Sequence, residues 1–247
     1  MIINGRFNAV YTLLYGEANR IKKDLKEMKQ EIINEDWQIA IQQLASNCVD
    51  LVVTDPPYGM EFQSNFRKTK HKSIQNDDNL DWLGGWVKEL KRVCKDEAHL
   101  YIFCSWHNID KFKAEVGAYF KVKNILIWEK NNTGMGDLEG DYAPKYEMIL
   151  FCSNGQKKLN GGRDSNILKA RRTGNENHPT EKPINLISYL IEKSSNKGDL
   201  VLDTFGGSCG TAIASRQLER NCYCFEIEAD YCKVARERLF ATSLSLF

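Results

Sequence analysis

Asp55-Pro56-Pro57-Tyr58 is the stretch of this chain whose residue types could do chemistry most directly. It follows a short apolar run, Cys48 to Thr54, which is rich in β-branched residues and reads as a buried strand stopping abruptly at a loop. Two successive prolines remove two backbone N–H donors and stiffen the chain, leaving carbonyl oxygens and the Asp55 carboxylate as acceptors. An exocyclic amine offers two N–H donors, and a carboxylate and a proline carbonyl can take one each. Held so, the nitrogen can face an electrophile, and the same acceptors stabilise the positive charge it gains. Tyr58 adds a flat face on which a ring can stack. A bare Pro-Pro more often only ends a strand; Asp before it and Tyr-Gly after it give the stretch its chemical reading.

A second constellation is Asp203-Thr204-Phe205-Gly206-Gly207-Ser208-Cys209-Gly210-Thr211, after the apolar run Leu200 to Leu202 and ahead of a helical pattern. Glycines there let backbone approach a ligand closely, and a helix N-terminus presents free N–H groups. Glu226 follows Gly207 by 19 residues, at the end of the next strand pattern, where an acid can bind two ribose hydroxyls. The pair suits an adenosyl ligand. A P-loop would need Gly-Lys-Ser/Thr, which is absent, and a nicotinamide-binding site would have no use for Asp55 to Tyr58. The third stretch, His178-Pro179-Thr180-Glu181-Lys182-Pro183, precedes another helical pattern. It reads either as an ordinary helix entry, with Thr180 as cap, or as a source of polar contacts from His178 and Lys182.

Alternating elements must position these groups. Further strands are expected at Leu100 to Cys104, Ile125 to Trp128, Met148 to Cys152, Leu200 to Asp203 and Cys222 to Glu226; helices at Trp82 to Cys94, Ile184 to Lys193 and Thr211 to Leu218. Strands alternating with helices predict a doubly wound α/β fold with a mostly parallel sheet covered on both faces. Residues 1–31 read as a helical extension on the spacing of Ile21, Leu25, Met28 and Ile32, offering a packing or homodimer surface, and 32–247 as one catalytic domain. Two long polar stretches, 60–80 and 154–177, interrupt the rhythm, and long loops in compact domains are usually functional or disordered.

The formal net charge is only +1, so attraction to a polyanion must come from local clusters. Arg67, Lys68, Lys70 and Lys72 form one; Arg163, Arg171 and Arg172, with neighbouring lysines, form another. The eight cysteines include no C-x-x-C pair, so they read as buried thiols with no metal expected. No stretch approaches the roughly 20 apolar residues of a membrane span, and a cytoplasmic protein is expected.

The three motifs, in this order, resemble the β-group of DNA amino-methyltransferases, over roughly Ile32 to Leu239. The resemblance implies S-adenosyl-L-methionine as cofactor, and double-stranded DNA with its target base flipped out as substrate. It implies that Asp55, Pro56, Pro57 and Tyr58 hold and stack the base. Asp36, Asp55, His178, Lys182, Asp203, Phe205, Gly207, Ser208 and Glu226 would line the cofactor site. Where many members have Gly, this chain has Cys209. Asp before Pro-Pro-Tyr favours N6 of adenine, since members making N4-methylcytosine more often carry Ser or Thr there. The interval between the segment Glu147 to Phe151 and His178 is short, about two dozen residues, for a reader of a long DNA site. N4 of cytosine as target, RNA as substrate, or a non-catalytic partner subunit are the alternatives.

Overall fold

In the computed structural model, residues 29–59, 79–134, 139–174 and 181–244 are described. Among these residues eight strands form one sheet: β1 (Gln30–Asn34), β2 (Val49–Thr54), β3 (Cys94–Cys104), β4 (Lys121–Glu129), β5 (Tyr146–Ser153), β6 (Ile167–Lys169), β7 (Leu200–Asp203) and β8 (Asn221–Glu226). Their spatial order is β1-β8-β7-β2-β3-β5-β4-β6. β5 is antiparallel to both its neighbours, and every other pairing is parallel. The helices are α1 (Trp37–Ala40), α2 (Leu83–Val93), α3 (Ile109–Gly117), α4 (Ile184–Ser194), α5 (Gly210–Gln217) and α6 (Ala229–Leu244).

Apolar residues cover the sheet on both faces, as expected for a doubly wound fold. On one face Leu83, Trp86, Val87, Leu90 and Val93, one stripe of α2, pack with Phe112 and Val116 of α3 against Val52, Leu100, Ile102 and Leu150. On the other, Leu186, Ile187, Leu190 and Ile191 of α4 join Ala212 and Ala214 of α5 and Cys232 and Ala235 of α6 over Leu51, Val53, Tyr101 and Ile149. Leu51, Val52 and Val53 alternate between the two cores by the strand pleat, and a register irregularity between Val49 and Leu51 puts Val49 in the same core as Val52. A buried polar cluster pins the end of α4 to β3: Ser194 Oγ lies 2.8 Å from both His99 Nδ1 and the Tyr101 hydroxyl, and His99 Nε2 lies 3.2 Å from the Lys157 carbonyl. Burial, with the Lys157 ammonium adding to it, pushes the His99 imidazole down to about 4.

From β2 the chain winds through α2 to β3 on one side; from β7 it winds through α5 to β8 on the other. The direction of winding reverses between β2 and β7, and the crevice outside the carboxyl ends of such a pair is where ligands bind in open α/β sheets.

The structure departs from the sequence expectation in several places. Ile32, grouped above with helical residues, lies in β1, paired with Cys224 of β8. Ile21, Leu25, Met28 and the dimer surface they would offer lie outside the described residues. The stretch 154–177 is not all loop, since β6 adds an edge strand to β4. Pro183 is the N-cap of α4, without a side-chain cap bond, and Thr180, expected as cap, lies outside the described residues. β1, β6, α1, α3 and α6 were not anticipated.

Candidate active site

Asp55 leaves the carboxyl end of β2 and Asp203 ends β7, on either side of the switch point. Tyr58 folds back so that its hydroxyl donates to Asp55 Oδ1 at 2.6 Å. Asn108, just past β3, donates from Nδ2 to the Tyr58 carbonyl at 2.7 Å and fixes the loop. The Lys182 ammonium pairs with Asp55 Oδ2 and lies 3.3 Å from Glu147 Oε2, while Lys130 Nζ is 2.7 Å from Glu147 Oε1. Because β5 runs backward, its second residue, Glu147, falls at the carboxyl edge of β3 and β4, opposite Trp128 and two positions from Lys130. Lys130, Glu147, Lys182 and Asp55 thus alternate in charge along one line.

Burial pushes the Asp55 carboxyl above its usual range, and the Lys182 ammonium pulls it partly back. Burial alone would lower Lys182, but the carboxylates of Asp55 and Glu147 outweigh it and hold the ammonium above its ordinary value. Glu147, raised by burial, is brought below its usual range by Lys182 and Lys130. Burial, then the adjacent Asp55 charge, keeps the Tyr58 phenol protonated.

On the other side of the switch point, β7 passes into the glycine turn and α5. Gly207, with φ of +52°, donates its N–H to Glu226 Oε2 at 2.6 Å, and Glu228 N–H donates to Oε1 at 2.8 Å. A Cβ on Gly206 would come within 2.8 Å of Cys209 Sγ and 3.2 Å of the Phe225 carbonyl, so the turn closes on β8 only with glycine there. Cys209 is left-handed, with φ of +51°, which explains why glycine suits this position. Burial raises Glu226 to about 7, partly opposed by the two N–H bonds. Ser208 is stapled from behind: its carbonyl accepts from Arg238 Nη1 at 3.0 Å, and Arg238 pairs with Glu181 at 2.8 Å.

Phe205 sits among Trp37, Trp82 and Trp86, with ring centroids 6.5, 5.5 and 5.8 Å away. Asp36 caps α1 by accepting the Gln38 N–H at 2.8 Å, next to Trp37. A carboxylate at a strand end, backbone N–H groups at a helix start and an aromatic wall beside them fit an adenosyl group. Asp203 is turned inward, 4% exposed, and accepts from Thr211 Oγ1 at 2.7 Å and Phe205 N at 3.2 Å. It shapes the turn, and burial raises it to about 6.

Of the other anticipated residues, Lys182 lies on Asp55. Arg171 and Arg172 follow β6 at the carboxyl edge of β4, with the Arg172 N–H bonded to Asn131 Oδ1 at 2.8 Å. The structure does not bring Arg163 to the site. Lys193, at the far end of α4, holds its neighbours Gly162 and Asp164 at 3.0 and 2.7 Å, about 16 Å along the helix from the Pro183 end. His178, Arg67, Lys68, Lys70 and Lys72 lie outside the described residues. The sequence reading missed Lys130, Glu147, Asn108 and Arg238. A charged residue opening the apolar run Met148 to Cys152 was the one available signal for Glu147, and it did not reveal that β5 is reversed.

Residues 49–237 match the family model described as DNA methylase, N6_N4_Mtase. A protein of Escherichia coli K12 named as a methylase, YubD, is 30% identical over 201 residues, covering 81% of this chain and 86% of its own. The DNA adenine methyltransferase YhdJ of the same organism is 27% identical, covering 86% and 83%. The crystal structure of the M1.HpyAVI-SAM complex superposes with a TM-score of 0.66 at 27% identity, over 85% of this chain and all of that one. The cytosine-N4-specific PvuII DNA methyltransferase, at 16% identity and a TM-score of 0.69, shares the fold. The chain therefore belongs to the DNA amino-methyltransferase family, whose members use S-adenosylmethionine.

Proposed function

We propose that this protein methylates N6 of adenine in DNA, on a base turned out of the duplex. The observation that carries the reading is the half-buried Asp55 carboxylate at the switch point, followed by two residues without N–H donors and facing the glycine turn across β7. The amine would donate one hydrogen to Asp55 and one to the Pro56 carbonyl, with Pro57 keeping the segment stiff. Bound S-adenosylmethionine supplies a methyl group activated on a sulfonium. Phe205, the Gly207 and Ser208 turn, Glu226 and Asp36 would hold it. As the amine nitrogen gains charge, the acceptors that oriented it stabilise it, so the chain contributes position and electrostatics. Extruding the base costs on the order of a few kcal/mol, which stacking on Tyr58 would partly offset. Adenine is favoured over cytosine by Asp55 ahead of Pro-Pro-Tyr and by the similarity to YhdJ, named for adenine.

Incubating the protein with duplex DNA and labelled S-adenosylmethionine, digesting to nucleosides and identifying the label tests this. Label in N6-methyladenine that disappears with Asp55→Ala is expected. Label in N4-methylcytosine would overturn the base assignment, and no label on DNA of varied sequence would overturn the substrate.

A further inference from the structure

We propose that Lys182 is a positioning residue shared between two carboxylates: it rests on Asp55 and passes to Glu147 when the base amine arrives, so that Asp55 meets the reacting nitrogen with its charge unshared. The proposal rests on the methyl-transfer reading and adds to it a step before the chemistry.

Both Asp55 oxygens are engaged at rest, Oδ1 by the Tyr58 hydroxyl at 2.6 Å and Oδ2 by the Lys182 ammonium. An ammonium held there opposes the task of Asp55, because the amine becomes cationic beside it and like charges in a water-poor site repel strongly. Lys182 has no way out to solvent, since its side chain is 8% exposed and its ammonium lies over the Phe103 ring, 5.1 Å from the centroid. It does have a second acceptor. Glu147 Oε2 is closed to solvent and already lies 3.3 Å from the ammonium, an ion pair longer and less well aligned than the one the ammonium makes with Asp55. Lys130 holds the other oxygen at 2.7 Å, which keeps Glu147 ionised and aimed while leaving Oε2 to the ammonium. A short shift of one ammonium therefore exchanges its partner without unpairing a buried charge, which would be costly.

The test measures the pH dependence of single-turnover methyl transfer to duplex DNA at saturating S-adenosylmethionine. It also follows the Asp55 carboxyl by 13C NMR in the free protein, assigned by loss of its signal in Asp55→Asn. Glu147→Gln takes away the alternative partner. It should slow transfer at least tenfold, move the acid limb and the Asp55 titration to lower pH, and be partly rescued by Glu147→Asp. Lys130→Gln frees Glu147 to draw Lys182 away, and should move both to higher pH. Mere loosening of the structure would move the two variants the same way, so shifts in one direction, or a Glu147→Gln protein with the wild-type rate and acid limb, overturn the proposal. If the wild type methylates no DNA, the functional reading fails by itself. The NMR titrations then decide the shared ammonium alone, opposite shifts supporting it and like or absent shifts overturning it.

Discussion

Tyr58 and Asp55 share a hydrogen bond across three residues, so the phenol occupies one of the two oxygens that Asp55 could offer a base amine. Tyr58→Phe loses this contact and keeps the ring. Single-turnover methyl transfer is expected to stay within about threefold of wild type, whereas Tyr58→Ala should fall on the order of 10- to 100-fold, the size of a lost base–aromatic stack. Glu226 makes a pH prediction of its own. Its carboxyl, pushed up to about 7 by burial, is mostly protonated below that pH and then offers ribose hydroxyls a weaker acceptor. Calorimetry should find cofactor affinity falling, by up to about tenfold per pH unit below 7, and Glu226→Gln weak at every pH without that slope. Asp55, Tyr58 and Glu226 were legible in the sequence because each sits at a fixed offset from a strand end or a glycine turn. Lys130 and Arg238 were not, since ordinary surface-type residues acquire their roles only from what the fold places opposite them.

At the scale of elements, legibility followed how completely an element is buried. β2 and β7 read as continuous apolar runs and α2 and α4 as apolar stripes, and all four lie where expected. Edge strand β1 buries only Ile32, and α3 only Phe112 and Val116, too few positions to set a period. The reversal of β5 was invisible because direction in a sheet leaves no mark on local pattern. The contact between β3 and α4 carries a stability prediction. His99 is 1% exposed, with its imidazole lowered to about 4, so the unfolded chain takes up a proton first as pH falls. The stabilisation is whole above about 6.5, declines as pH falls toward 4, and levels below that. By pH 5 the loss should be about 2 kcal/mol. Denaturant melts at pH 7 and pH 5 should show this difference in the wild type and lose that part of it in His99→Asn; an equal pH dependence in both would show that His99 does not set it.

Across the whole molecule the sheet separates two tasks, with the glycine turn, Glu226 and β1 on one side of the switch point and β3, β5, β4 and β6 on the other. With a net charge of only +1, the molecule as a whole attracts DNA weakly, so phosphate contacts must come from local clusters of basic residues. Arg171 and Arg172 lie at the carboxyl edge of the second side, past β6, while Arg163 lies at the other end of α4. This placement divides a cluster that is continuous in sequence into a part at the edge where Asp55 lies and a part at the opposite end of α4. Each neutralised phosphate releases condensed counterions and adds about 0.9 to the slope of log affinity against log salt. Replacing Arg171 and Arg172 together by alanine should therefore reduce that slope by about 2, weakening binding to all sequences alike, whereas Arg163→Ala should leave it unchanged. Fluorescence anisotropy of labelled duplex between low and moderate salt measures both. A slope lost with Arg163, and kept without Arg171 and Arg172, would put the DNA on the opposite end of the sheet from Asp55 and break the link between binding and chemistry drawn here.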